Sequence, residues 1–268
     1  MFKQFTKALM SSPQLWGWGI LFTIFWLFMG AYFFSRGVPD SNNVDLAFTS
    51  AWFSIMVVLS LSTLGITVAF TIYYSTRSIP YVLKYTKLTL NKYVESLLVS
   101  SMIVGLLFSA IMALLTMGVY SFRFDYVLMP KDFELLLGIG ALSSVFMTTL
   151  ATLLMTTMIN YLGTKNVQYI SFIPLILSYL FGFSQIFGQL PSLVLYVSPF
   201  NDIISLFYTS YSGSSPLISY QSVSNQSSTL NPVISLLSLI GWSLLLCVVD
   251  LLLLKRLKST SLEEGRMV

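Results

Sequence analysis

Six long apolar runs constrain this chain more than any other feature. They lie at about 15–34, 46–74, 96–120, 135–162, 169–187 and 233–254. A helix needs about 20 apolar residues to cross the hydrocarbon core of a bilayer. Because lipid offers backbone amides no hydrogen-bond partner, such segments must satisfy their own backbone groups as helices. The sequence therefore predicts an all-α membrane protein, a single transmembrane domain over 1–268 with six transmembrane helices.

The composition agrees with a membrane protein and excludes several kinds of chemistry. The 268 residues are 56% hydrophobic and 9% charged, whereas soluble domains carry about 25% charged residues. There is no histidine and one cysteine, Cys247, so His-ligated metals and His-based nucleophilic catalysis are excluded. No GxxxxGK[ST] phosphate-binding loop occurs either. We predict no catalytic residue, metal site or cofactor in this chain, and hence that it is not an enzyme.

The basic residues predict the orientation in the membrane. Of the 14 Lys and Arg residues, three lie in the loops on one side: Arg36, Arg123 and Lys131. The other eleven lie on the side that also holds both termini: Lys3, Lys7, Arg77, Lys84, Lys87, Lys92, Lys165, Lys255, Arg256, Lys258 and Arg266. Loops rich in Lys and Arg stay in the cytoplasm. We therefore expect a multi-pass protein of the cell (plasma) membrane with both termini, including the tail 255–268, in the cytoplasm. This distribution of the net positive charge does not indicate nucleic-acid binding.

The first twelve residues have the pattern of an amphipathic helix. Phe2, Phe5 and Leu9 recur at helical spacing, and Lys3 and Lys7 share another face. Such a helix lies in the membrane interface with its lysines toward anionic headgroups. The alternative is a loosely ordered terminus.

The loop 188–231 contains a single charged residue, Asp202. Within it, Ser198 can cap a helix that has Pro199 at its first position. The residues that follow form an apolar face at i, i+3, i+4 and i+7, namely Phe200, Ile203, Ile204 and Phe207. Later in the loop, Asn225 begins an Asn-Gln-Ser pattern, a weak indication of a glycosylation site.

Few polar groups lie inside the apolar runs. Asp250 is the one clear ionisable residue there, with Glu95 at the mouth of the third run. Asp250 is either a carboxylate paired at the interface or part of a proton relay, for which no partner is visible in the sequence. In the fifth run, Pro174 predicts a kink near the start.

Three threonines of the fourth run share one helical stripe: Thr149, Thr152 and Thr156. Threonines in membrane helices often bond to their own helix carbonyls or pack at helix interfaces. The other interpretation is that these three residues line a substrate pathway.

The segment 76–95, TRSIPYVLKYTKLTLNKYVE, is the most basic loop of the chain. It carries Arg77, Lys84, Lys87 and Lys92 and lies between the second and third runs. Ser78 can cap a helix that tolerates Pro80 in its first turn. Its role is either orientation and headgroup binding or the docking of a separate motor protein.

Taken together, the amphipathic arm, the basic segment 76–95 and the stretch LYVSPFNDIISLFY before the last run resemble the membrane (permease) subunit of type-2 ATP-binding-cassette exporters. The resemblance covers nearly the whole chain. It implies that the short helices before the last span lie on the outer side and dip back into the membrane. It also implies that two permease chains, identical or paralogous, form the pathway for an amphiphilic, peptide-like or drug-like substrate.

The resemblance further implies an ATPase subunit, with its ATP and Mg²⁺, that docks on the cytoplasmic segment. The expected docking residues are Arg77, Ile79, Tyr81, Val82, Leu83, Lys84, Tyr85 and Lys87. Two rival functions remain open: an ion-coupled secondary carrier, and a membrane scaffold or assembly protein that transports nothing.

Overall fold

The protein is almost entirely helical. A computed structural model describes residues 2–38, 41–75, 85, 89–162, 167–188, 190–218 and 229–256, and 87% of it is helix. The described residues contain no strand, only an isolated bridge between Leu217 and Thr229. Six helices are long and apolar enough to cross a membrane. The predicted all-α class with six candidate spans is therefore confirmed.

The described residues form the following helices. In chain order they are α1 (Phe2–Met10), α2 (Pro13–Gly37), α3 (Asn42–Ser75), α4 (Leu90–Phe124), α5 (Phe133–Thr157), α6 (Val167–Ser171), α7 (Ile173–Phe187), α8 (Ser192–Val197), α9 (Pro199–Ser212) and α10 (Pro232–Leu254). A π-helical turn, Met158–Leu162, extends α5. Together α6 and α7 form the fifth of the six long apolar segments.

Helix α3 is the axis of the bundle. Every residue from Thr49 to Ala69 is buried, and 89% of its most apolar stretch is enclosed, against 28% for α2 and 22% for α10. A helix that is apolar all round has no face that prefers the outside of the protein, so it is surrounded. Helices α2, α4, α5, α7 and α9 pack around it.

Helices α4 and α5 approach each other closely because small residues line their contact. A Cβ atom added to Gly105 would lie 2.5 Å from the Cβ of Ser144 and 2.6 Å from the carbonyl oxygen of Gly140. A Cβ atom added to Gly140 would lie 2.8 Å from the Cβ of Ser109. Small residues at such contacts let two helix backbones come together and gain dispersion contacts in lipid. The spacing of α4 and α5 therefore depends on these glycines.

The connection after α4 is tied to the start of α3. The hydroxyl of Tyr126 donates to Asp45 Oδ2 at 3.1 Å and to the carbonyl oxygen of Asn42 at 3.3 Å. Burial, together with the charge of Asp45 and this hydrogen bond, raises the pKa of Tyr126 to about 12. The phenol of Tyr126 therefore keeps its proton, and its hydrogen bonds to the start of α3, well into the alkaline range.

Helix α2 is irregular and presents two different faces. It contains two π-helical turns, Gly17–Leu21 and Met29–Phe33, a feature often found at functional sites. On its inner face, a Cβ atom at Gly30 would lie 2.7 Å from the Trp52 ring of α3. On the opposite face large aromatic side chains are exposed, among them Phe25 (54%) and Phe33 (57%).

Helix α9 starts in the middle of the bundle and runs to one end of it. At that end, the backbone amides of Lys131 and Asp132, just before α5, donate to the carbonyl oxygens of Tyr211 and Ser210 at 3.1 and 3.0 Å. At its beginning, the Phe200 ring lies 5.5 Å from the ring of Phe146. Phe146 is thirteen residues into α5, which is about 20 Å along a helix. The first turn of α9 is therefore enclosed about halfway along α5.

Helix α8 leads into this enclosed turn beside α10. Ser238 Oγ donates to the carbonyl oxygen of Tyr196 at 3.1 Å, and Trp242 Nε1 donates to that of Val197 at 2.9 Å. Trp242 is ten residues into α10, so the reversal at Ser198 lies well inside the bundle. The helix predicted after Ser198 is confirmed. The predicted cap hydrogen bond from the Ser198 side chain is not formed.

The amphipathic helix predicted for the first residues is present as α1. The Phe5 ring packs edge-on against Tyr93 of α4 at 5.4 Å, and Leu9 is fully buried. Ser100 Oγ of α4 donates to the carbonyl oxygen of Phe2 at 2.9 Å, although the Phe2 side chain is 44% exposed. Helix α1 is thus fixed to the beginning of α4.

The helices extend beyond the apolar runs. Helix α4 begins at Leu90, so the last part of the basic segment 76–95 belongs to this helix. The reason is a cap, since Thr89 Oγ1 accepts from the backbone amide of Lys92 at 3.4 Å. The kink predicted at Pro174 appears as a break at Phe172 between α6 and α7, with Pro174 in the first turn of α7.

Candidate functional site

Most of the predicted docking residues lie outside the described part of the chain. These are Arg77, Ile79, Tyr81, Val82, Leu83, Lys84 and Lys87, and the same is true of Asn225. Tyr85 is described, and its side chain is 73% exposed. Docking at this segment and glycosylation at Asn225 therefore stay predictions.

The three threonines of α5 lie inside the bundle. Thr149, Thr152 and Thr156 are 2%, 3% and 0% exposed. Their hydroxyls donate to carbonyl oxygens of their own helix, Thr152 to Thr148 at 2.8 Å and Thr156 to Thr152 at 2.7 Å. This bonding satisfies the hydroxyls without any partner from outside the helix. A pathway along these residues stays a prediction, and it would require the surrounding helices to separate.

A polar pair joins α7 to α9 in the interior. Gln185 Nε2 donates to Asn201 Oδ1 at 3.0 Å, and the two side chains are 1% and 0% exposed. Gln185 Oε1 and Asn201 Nδ2 have no hydrogen-bond partner among the described residues. Buried polar groups are normally all paired, so this pair carries unused hydrogen-bonding capacity.

Replacing both members of this pair should destabilise the protein by less than the sum of the two single replacements. Gln185→Leu or Asn201→Leu leaves a buried amide without its partner, at a cost of about 1–3 kcal/mol. The double variant removes both amides, so its loss should be smaller than the sum of the two. Thermal unfolding in detergent measures the three variants, with Gln168→Leu at an exposed position as control. Strictly additive losses would contradict the pairing.

Next to this pair lies a buried carboxylate. Asp202 is 0% exposed, and neither of its carboxylate oxygens has a hydrogen-bond partner among the described residues. The hydroxyls of Ser235 and Ser238, on α10, are close enough to interact with it as donors, although neither forms a hydrogen bond of normal geometry to it. Ser235 Oγ is likewise unpartnered, as are Ser198 Oγ and Ser205 Oγ on α9. The first two turns of α9 thus hold a group of oxygen atoms that the described protein does not use.

A second buried acid lies toward the other end of α10. Asp250 is 2% exposed, and its Oδ1 has no hydrogen-bond partner among the described residues. Near it, Leu254 packs with Tyr93 and Val94 of α4. Asp250 is thus enclosed by the protein, whereas Lys255 is exposed.

A groove runs along the exposed face of α2. It has a volume of about 280 Å³ and is lined by Phe25, Phe28, Met29, Tyr32, Phe33 and Arg36. Arg36 closes one end, with its guanidinium 5.7 Å from the centre of the Phe33 ring. Arg123 lies close by, since its Nε donates to Ser35 Oγ at 3.2 Å. The groove is thus apolar along its length and basic at one end.

Two of these features were not anticipated from the sequence. Asp202 stands out as the one charge in 188–231, but its burial depends on how α9 folds back. The pairing of Gln185 with Asn201 has no sequence signal at all. As for metals, the described residues contain no group of three or more His, Cys, Asp or Glu side chains that could hold an ion.

Comparisons with known proteins identify no family for this chain. A scan against models of known protein families finds no match to this chain, and a search of curated proteins finds none either. Function is therefore argued from the sequence pattern and the geometry alone.

Proposed function

We propose that this protein is the permease subunit of an ATP-driven exporter, similar to the membrane subunits of type-2 ATP-binding-cassette exporters. Two such chains form a substrate pathway, and a separate ATPase supplies the energy. The chain is oriented with both termini in the cytoplasm, as its Lys and Arg distribution indicates. The substrate is amphiphilic, peptide-like or drug-like.

The helical hairpin of α8 and α9 is the observation that carries this proposal. Its turn at Ser198 lies about halfway along the long helices, and its open end lies beside Lys131. With Lys131 on the outer side, α8 and α9 are the re-entrant outer helices that the resemblance implies before the last span. Non-helical backbone at membrane depth is tolerated where protein encloses it, and Ser198 is 8% exposed.

Two features of the cytoplasmic side support coupling to an ATPase. Helix α1 is fixed to α4 through Phe5 and Ser100, and the end of the basic segment 76–95 is the first part of α4. A force applied to this segment therefore acts on α4, and through the close glycine contacts it acts on α5. The chain has no phosphate-binding loop of its own, so ATP hydrolysis takes place in the partner.

We assign the groove on α2 as one wall of the substrate pathway. It is exposed to the membrane in the single chain, and a second chain placed against α2 would enclose it. Phe25, Phe28 and Tyr32 offer an apolar surface, while Arg36 favours a negative group at the outer end. Such a surface suits an amphiphile.

One observation favours the rival carrier function. Asp202 and Asp250 are buried acids with unpartnered oxygen atoms, and ionisable groups at membrane depth often belong to ion pathways. No described residue connects the two. The exporter remains the better proposal because only it gives a role to segment 76–95 and to the re-entrant hairpin.

Transport in inside-out vesicles distinguishes these functions. Vesicles that contain the chain and its ATPase are given a panel of fluorescent amphiphiles and peptides, with ATP or with imposed ion gradients. We expect uptake that requires ATP, survives ionophores and persists in Asp250→Asn. Uptake without ATP that Asp250→Asn abolishes would show a carrier, and a complex without uptake or substrate-stimulated ATP hydrolysis would indicate a scaffold.

A further inference from the structure

The start of α9 holds a group of buried oxygen atoms without a hydrogen-bond partner among the described residues. Both carboxylate oxygens of Asp202 and the hydroxyls of Ser198, Ser205 and Ser235 are buried and without a hydrogen-bond partner among the described residues. Ser205 follows Asp202 by three residues, so helical spacing places these two on one side of α9, and Ser198 directly precedes the helix. Ser235 approaches the carboxylate from α10.

The helices around Asp202 offer its negative charge the hydroxyls of Ser235 and Ser238 but no cationic side chain. A buried carboxylate is costly unless a positive charge balances it. Helices α3, α5, α7, α8 and α10 pack against α9, and none of them contains a lysine or arginine. Their charged side chains are Asp45, Glu134 and Asp250, which are all acids. Lys131 lies beside Gly213, just beyond the other end of α9.

A small cation accounts for these oxygen atoms better than a proton does. One proton neutralises the carboxylate, and the hydroxyls of Ser235 and Ser238 can donate to it, but a proton does not use the hydroxyl oxygens as a group of ligands. A hard metal cation is bound by several oxygen ligands at once, including carboxylates and neutral oxygens. One carboxylate in an otherwise uncharged site also fits a single positive charge, because a divalent ion would leave an excess of charge buried.

We propose that Asp202, together with the hydroxyl oxygens of Ser198, Ser205 and Ser235, forms a buried binding site for one Na⁺ ion between α9 and α10. The ion fastens the re-entrant hairpin to the last span. Short helices that start at membrane depth can hold such ions, because their ends bring polar groups into an otherwise dry region. The ion would bind here whether or not the chain is an exporter.

Thermal unfolding of the purified protein in NaCl and in choline chloride, at equal ionic strength, tests this site. Because an ion that binds only the folded state stabilises it, Na⁺ should raise the Tm of the wild type by several degrees in a concentration-dependent way. Asp202→Asn, nearly the same shape, should fold and lose the Na⁺ dependence. Ser235→Ala should weaken apparent Na⁺ affinity about tenfold or more. Ser243→Ala is the matched control, since Ser243 bonds to its own helix at 2.8 Å.

Three results would overturn the proposal. One is an equal wild-type Tm in both salts, and another is an undiminished Na⁺ effect in Asp202→Asn. The third is a Tm that responds to pH but not to Na⁺, which would make Asp202 a proton site. If Asp202→Asn does not fold, wild-type labelling with a hydrophobic carbodiimide decides the question. Na⁺ should then protect Asp202 and leave the labelling of Asp250 unchanged, and equal labelling of Asp202 in both salts would also overturn the site.

Discussion

Replacing Lys84 and Lys87 together by glutamate is expected to release the ATPase from this protein while all six helices stay inserted. The change reverses two of the four basic charges in the proposed docking segment. Like charges brought together at an interface cost several kcal/mol, so retention of the ATPase should fall by at least about tenfold. ATP-dependent transport should be lost with it. The measurement is the amount of ATPase that co-purifies with a tagged chain.

A matched control separates docking from general charge effects. Lys255→Glu with Arg256→Glu makes the same change in charge on the same predicted side of the membrane, at exposed positions beyond α10. This control should keep the ATPase and the transport activity. Equal loss in both variants would indicate a disturbed orientation, and unchanged assembly in the Lys84 and Lys87 variant would exclude docking through these lysines.

The second large effect is expected at the contact of α4 and α5. Gly140→Leu places a side chain where a Cβ alone would lie 2.8 Å from the Cβ of Ser109 and 3.2 Å from the carbonyl oxygen of Gly105. The backbone of α4 cannot make room without moving away as a whole. Overpacking of this kind costs about 1–3 kcal/mol or more, and we expect the upper end. A markedly lower Tm in detergent and poor recovery of folded protein are the expected results.

Gly138→Leu provides the control in the same helix. Gly138 is exposed, and a Cβ atom there would meet nothing within 4 Å. Its replacement should leave the Tm unchanged or raise it slightly, since glycine weakens a helix by about 0.5–1 kcal/mol relative to alanine. Similar losses for both glycines would mean that a larger side chain anywhere on α5, and not the α4–α5 contact, determines the effect.

The fold class could be predicted because the length of an apolar run and its backbone requirements leave few alternatives in lipid. The amphipathic helix α1 could be predicted equally well, because Phe5 and Leu9 share one helical face. The residues at which helices begin and end could be predicted less well from the sequence. Leu90 begins a helix because Thr89 caps it, and helices continue past the membrane boundary with polar residues. A re-entrant position for α8 and α9 was implied by the resemblance alone, and it stays a proposal.

Much of the candidate site was beyond sequence reasoning. The stripe of Thr149, Thr152 and Thr156 has the same spacing whether it faces a pathway or the core, and only the packing of α3 against α5 decides which. Likewise, Gln185 meets Asn201 because two helices cross there, which no local pattern encodes. The groove on α2 depends on a π-helical turn that rotates Tyr32 and Phe33 relative to an ideal helix.

Identification of the proteins that co-purify with this chain in mild detergent tests the central proposal most directly. The exporter proposal predicts an ATPase with a phosphate-binding loop in a fixed ratio to the chain, and its depletion in the Lys84→Glu, Lys87→Glu variant. Absence of such an ATPase, together with failure of the chain to retain an added cognate ATPase, would contradict the proposal.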